Sequence, residues 1–286
     1  MSRFSILEIY DTVTGERKAL REFEGLIEAP NWLSDGDTLL YNSGGRIWTY
    51  SVARDEAKIL ETGECVHCNN DHVPSPDGKY LAVSHMPPMP VGWGSYIYIM
   101  PMGSGDARRV TPLSPSFLHG WSVKNELAYC AFRGEETGER KVDIYVMPAE
   151  GGEETRLTDG VGYNDGPEYS PDGEEIWFCS TRGKSGLMQI FKMKRDGTDV
   201  TQITDTGENC WFPHLSPDAK KVVYLTFRKG DLEPHEHLPD KEVSLWMMKP
   251  DGSDRVKLFD LFGGQGTINV NSWSPDGTKF AFVSYR

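Results

Sequence analysis

Short apolar runs alternate with polar turns along the whole chain, and the alternation itself repeats. Each unit reads as a turn, an apolar strand, a variable loop, a second apolar strand, another turn and a polar strand. The turn occurs as Leu33-Ser34-Asp35-Gly36, Ser75-Pro76-Asp77-Gly78, Ser122-Val123-Lys124-Asn125, Ser170-Pro171-Asp172-Gly173, Ser216-Pro217-Asp218-Ala219 and Ser274-Pro275-Asp276-Gly277. Successive turns begin 42 to 58 residues apart, the length of one propeller blade. The widest step carries an insertion in the fifth unit.

The local chemistry agrees with the period. Pro presets φ at the second turn position and Gly accepts a positive φ at the last, so Ser-Pro-Asp-Gly closes a tight hairpin. The runs that follow, such as Tyr80-Leu81-Ala82-Val83, Ile176-Trp177-Phe178-Cys179 and Phe280-Ala281-Phe282-Val283, are apolar at consecutive positions. That pattern belongs to strands buried on both faces. Third strands are predicted at Ile47–Tyr50, Tyr96–Met100, Asp143–Met147, Gln189–Met193 and Leu245–Met248.

The sixth unit stops at Arg286 after two strands. Ile6–Tyr10 and Arg17–Leu20 match the late half of a unit, so residues 1–24 are predicted to complete the blade begun at 269–286. Closing the ring in this way removes an exposed sheet edge. The expected fold is therefore all-β, one six-bladed β-propeller over residues 1–286. The repeated S-P-D-G-x-x-[LI]-x-[FV] unit resembles that of the TolB-like propellers over essentially the whole chain. The resemblance implies the fold and a ligand- or peptide-binding ring. TolB itself carries a signal peptide and an α/β domain that this sequence does not show, so a role outside the periplasmic Tol system is expected.

Composition narrows the partners. Thirty Lys and Arg against 43 Asp and Glu leave a formal charge of −13, which repels a phosphate backbone, and there is no basic stripe or basic amphipathic helix. Neither nucleic acid nor a membrane is expected as a partner. The start MSRFSILEIYDTVTG lacks the apolar core of a secretory signal, and the five cysteines are odd in number, so a cytoplasmic protein with reduced thiols is expected. That includes Cys65 and Cys68, whose single Cys-x-x-Cys spacing is read as incidental.

Strand parity places the long segments, 86–95, 134–141, 229–243 and 63–71, on the face opposite the tight turns. Histidines fall there too. Counting back three residues from each turn places His72, His119 and Asn271 at equivalent positions, with Pro30, Pro167 and Pro213 in the other blades. First strands line the axial channel, so these side chains are expected at its mouth. Asn70, Asp71, Asn164, Asp165, Asn269, Trp121 and Trp211 are expected on the same rim, with Arg182 ending a nearby second strand. Amide, carboxylate, imidazole and indole together suit a sugar, whose hydroxyls need polar partners and whose ring faces stack on aromatics.

Two functions follow. The first binds a small polar molecule or oligosaccharide, with His72, His119 and Asp71 as catalytic groups of a metal-assisted lyase or hydrolase. His72, His119 and His214 would then hold a divalent Zn, Mn or Fe. It resembles, at the level of fold, the oligogalacturonate lyases, which build a His-rich metal site on a larger propeller. The second is a ring that binds a peptide or protein without turnover. No Gly-x-Ser-x-Gly elbow and no Gly-x-x-x-x-Gly-Lys phosphate loop occurs.

Overall fold

The six turns become six hairpins of a closed ring. The computed structural model describes residues 3–88, 94–134 and 140–286, so parts of the predicted loops 86–95 and 134–141 lie outside the described residues. Five antiparallel four-stranded sheets follow one another in chain order, and a three-stranded sheet completes the propeller. Their innermost strands are Glu28–Trp32, Cys68–Pro74, Ser116–Trp121, Asn164–Tyr169 and Asn209–Leu215. Neighbouring inner strands touch around the axis.

Closure comes from the ends of the chain. Phe4–Asp11 lies between Arg17–Glu24 and Lys279–Tyr285, pairing with the latter from Ser5↔Tyr285 to Asp11↔Lys279. Phe4 and Arg286 exchange backbone hydrogen bonds of 3.0 and 2.9 Å at the seam. Four strands were expected in this blade. The innermost one shrinks to a single Trp273↔Phe280 bridge, because the Asn271 side chain binds the Trp273 backbone N–H at 3.0 Å and takes the place of a ladder partner.

The hairpin chemistry is as the turn sequence predicts. At Ser75 the hydroxyl donates to Asp77 at 2.7 Å and accepts from the Tyr80 N–H at 2.9 Å, while Gly78 turns the chain at φ 70°. Ala219 holds the same place in the fifth blade at φ 54°, where a Cβ makes the left-handed conformation costly. Second strands are the core. Every residue of Val222–Phe227 is buried, and Trp177 and Phe178 are wholly inaccessible. Each such side chain contributes about 1.5–3 kcal/mol through burial. The outermost strands, such as Glu56–Ile59, face solvent.

Candidate functional site

One irregularity decides which side chains reach the axis. All five inner strands shift register against their second strands, between Glu28 and Asn31, Cys68 and His72, Leu118 and Gly120, Asp165 and Glu168, and Trp211 and His214. Three of these bulges contain proline, Pro30, Pro167 and Pro213, which supplies no N–H to a ladder and sits naturally where the ladder is interrupted. In the second blade Asn69, Asn70 and Asp71 stand opposite Ser84 alone, an excess of two residues, and in the third the extra residue is His119. These are the side chains that the bulges turn toward the axis.

They form one wall of a cavity of about 260 Å³, lined also by Phe117, Cys130, Phe132, Tyr163, Asp165, His237 and Gln265. Asp165 stands between two imidazoles. His119 Nε2 lies 3.4 Å from its Oδ1, and His237 Nε2 lies 3.3 Å from its Oδ2. The Gly166 N–H also donates to Oδ1, at 2.7 Å, and fixes the carboxylate. Asp71 accepts from the amides of Asn69 at 2.5 Å and Asn269 at 2.7 Å. Asn70 is 7% exposed, and its Nδ2 has no hydrogen-bond partner.

Electrostatics divide the two acids. Burial pushes the Asp71 carboxyl above the ordinary range, against the opposing pull of His119 and the two amides. Burial acts on Asp165 in the same direction, but the pull of the facing His119 and His237 rings outweighs it and holds that carboxyl well below the usual range. For His119, burial works against the charged ring, yet Asp71 and Asp165 outweigh it and hold the imidazole above its ordinary value. Burial also raises the Cys130 thiol well above normal. Behind Gln265, burial pushes Glu28 up to about 7, with the Gln265 hydrogen bond opposing and the Asp71 charge reinforcing.

Of the residues anticipated for this site, Asn70, Asp71, His119 and Asp165 meet in the cavity, and Asn269 supports it through Asp71. The others go elsewhere. His72 pairs with Val83 beyond the second-blade bulge, and its ring is fully buried, with both nitrogens lacking a partner. Burial pushes that imidazole down to about 4. Counting residues treats His72 and His119 as equivalent, but only His119 is itself the bulged residue. His214 has both ring nitrogens occupied, by the Glu168 carboxylate and by the Ile268 carbonyl at 2.5 Å. The three imidazoles His72, His119 and His214 therefore do not converge. Among the described residues, the potential ligands brought within 4.8 Å of one another are His119, Cys130 and Asp165.

Five further expectations are corrected in the same way. Trp121 and Asn271 lie toward the tight-turn end of the channel, in a second cavity of about 220 Å³ with Pro76, Val123 and Pro171. Trp121 adjoins its turn at Ser122, and the Asn271 amide is held there by the Glu168 carboxylate at 2.6 Å and the Leu215 carbonyl at 3.1 Å. Asn164 and Arg182 are locked at the join of the third and fourth blades: Asn164 Nδ2 donates to Asp143 of the third blade at 3.1 Å, while its Oδ1 accepts from Ser180 and Arg182. Trp211 is wholly buried behind His237, with ring centroids 4.5 Å apart.

His237 and Gln265 also line the cavity, from segments that no count back from a turn selects. His237 arrives from the fifth-blade insertion, and its Nδ1 meets Gln265 Oε1 at 2.9 Å. Gln265 belongs to the glycine cluster before the last blade, where Gly266 packs so tightly against Glu28 and Tyr285 that a Cβ would meet them at 2.5–2.6 Å. A larger groove of about 690 Å³ lies off the axis, but its charged walls neutralise one another, as in Arg195 with Glu126 at 2.9 Å. Among the thiols, Cys65 and Cys68 are buried and free, and Cys68 Sγ donates to the Cys65 carbonyl at 3.4 Å.

Comparison with known proteins agrees with this architecture. The family described as the TolB beta propeller domain matches residues 121–245. A solved structure from Agrobacterium tumefaciens, described as a TolB, superposes with a TM-score of 0.92 at 42% identity, covering 100% of this chain and 99% of that one. A protein of Agrobacterium fabrum is 43% identical over 284 residues, 98% of this chain and 92% of its own length. The Tol-Pal system protein TolB of Francisella tularensis is 24% identical over 90% of this chain, which spans only 56% of that protein. No described helix is long and apolar enough to cross a membrane.

Proposed function

Since the chain belongs to the TolB-like β-propeller family, we propose that its working surface is the axial cavity around Asp71, His119 and Asp165, and that it binds a small, neutral, hydroxyl-rich ligand of carbohydrate type. The observation that carries this reading is Asn70, a buried amide on the cavity wall whose donor is left without a partner. A buried unpaired donor costs about 1–3 kcal/mol, and a ligand oxygen accepting from it removes that cost. Phe117, Phe132 and Tyr163 supply faces for an apolar ring surface.

Two properties support a small neutral ligand. A cavity of about 260 Å³ is at the low end of ligand sites, which run from about 300 to 1,000 Å³, and too small for an extended peptide segment. The ionised Asp165 carboxylate on the wall disfavours an anion in the metal-free protein. Metal-assisted lyase or hydrolase turnover is the further-reaching form of this reading.

The test is thermal denaturation of the purified protein with a panel of neutral and acidic mono- and oligosaccharides. A ligand that binds only the native state at 100 times its Kd stabilises by about 2.7 kcal/mol. Neutral sugars are expected to raise Tm in the native protein and not in Asn70→Ala. A panel that leaves the native protein unshifted overturns the reading.

A further inference from the structure

We propose that His119, Cys130 and Asp165 form a zinc site that opens into the axial cavity, with His237 positioning the carboxylate. The three residues come from the first and second strands of the third blade and the first strand of the fourth, and all three are buried. Their ligand atoms lie within 4.8 Å of one another and border the cavity.

The spacing favours a shared ion over a direct hydrogen bond. His119 Nε2 and Asp165 Oδ1 are 3.4 Å apart, beyond the ordinary N–H···O range of about 2.7–3.2 Å. Tetrahedral coordination with metal–nitrogen and metal–oxygen bonds of about 2.0–2.1 Å places neighbouring ligand atoms roughly 3.4 Å apart. That is the edge already present. A thiolate at about 2.3 Å is the third ligand, and a mixed sulfur, nitrogen and oxygen set suits zinc better than magnesium or calcium.

The surroundings resemble those of a ligand shell held in place. The Gly166 N–H fixes Asp165 Oδ1 at 2.7 Å, and His237 approaches Oδ2 while Gln265 anchors its other ring nitrogen at 2.9 Å. The fourth coordination position faces the cavity, where water or a ligand hydroxyl would complete the shell. With the ion bound, that position would polarise the ligand's oxygen. The assignment shares its cavity with the sugar-binding reading but does not depend on a sugar being bound.

The experiment is metal titration of the full chain, freed of metal by chelator, without any carbohydrate. One Zn²⁺ per chain is expected by calorimetry and by metal analysis after gel filtration. Co²⁺ in its place should give a thiolate-to-cobalt charge-transfer band in the near ultraviolet. Cys130→Ser should abolish that band, and His119→Gln should weaken zinc binding at least ~100-fold. His237→Ala should weaken it ~10–100-fold, as expected for a positioning residue. Circular dichroism of each metal-free variant shows that it is folded. If the native protein retains no zinc after gel filtration, or if Cys130→Ser and His119→Gln bind as the native protein does, the proposal is overturned without recourse to any variant's stability. A sugar-induced Tm shift in the zinc-free protein would leave the ligand reading standing when this one fails.

Discussion

Two clusters near the axis use the same residue types and reach opposite ends. On one side Glu168 holds the His214 ring, the Asn271 amide at 2.6 Å and the Leu215 N–H at 3.2 Å, and His214 turns its second nitrogen to the Ile268 carbonyl. Trp273 adds its indole N–H to the His214 carbonyl at 3.0 Å. Every polar group there is engaged by protein, so the cluster fastens blades four, five and six together. On the other side Asp165 sits between two imidazoles at 3.3 and 3.4 Å, Asn70 keeps a free donor, and a cavity lies in front of them. Acid, imidazole and amide thus make a clamp where their hydrogen bonds close on one another and a site where they do not.

The contrast is broken most forcefully at Glu168. Glu168→Ala leaves His214 and Asn271 without their buried acceptor and is expected to cost about 3–5 kcal/mol, read from urea unfolding, while sugar binding by the remaining native protein is unchanged. A cost below about 1 kcal/mol would mean that the cluster fastens nothing.

Glu28, buried against Gly266, gives the next largest effect. Its folded carboxyl titrates at about 7 against 4.5 in the unfolded chain, so between those values the native state keeps a proton that the unfolded chain has lost. Stability must therefore fall as pH rises through that window, by about 3 kcal/mol from this group at about 1.36 kcal/mol per pH unit. Asp71, Asp240, Arg3 and the Gln265 side chain are the groups that act on it. Subtracting the Glu28→Gln profile from that of the native protein isolates this slope, and equal slopes in the two proteins would refute the buried acid.

The smallest effect is expected at His72, and it sharpens the distinction between site and core. With both ring nitrogens buried and unpartnered, His72→Leu should change stability at pH 7 by less than about 1 kcal/mol and leave sugar binding intact. It should also remove an acid-side weakness: the native ring stays neutral down to about 4, whereas the unfolded ring gains its proton near 6.5. Loss of sugar binding in this variant would return His72 to the site.

Much of the fold was legible because its signals are local. The Ser-Pro-Asp-Gly turns and the apolar second strands such as Val222–Phe227 need only neighbouring residues to be understood, and the stray strands at the two ends could pair only with each other. The site was half legible. His119 was found by counting from the turns, and Asn70, Asp71 and Asp165 as polar neighbours on the same rim, but the same reading selected His72, Asn271 and Trp121, which the structure sends to the core or to the other mouth. His214 and Arg182 carried the right chemistry and were already occupied, by Glu168 and by Asn164. Cys130 read as one apolar position among several in a second strand, with no pattern to mark it as a ligand.

By itself, then, the sequence determined the number of blades, the hairpin at each turn and the join of head to tail, because each follows from turn chemistry, strand hydrophobicity and the need to leave no open edge. The tertiary structure alone decided which side chains face the channel. A bulge with one extra residue in the third blade and two in the second sets that direction, and His237 reaches Asp165 and Gln265 reaches His237 from segments far away along the chain. Such meetings depend on where backbones cross in space, which no spacing along the chain encodes.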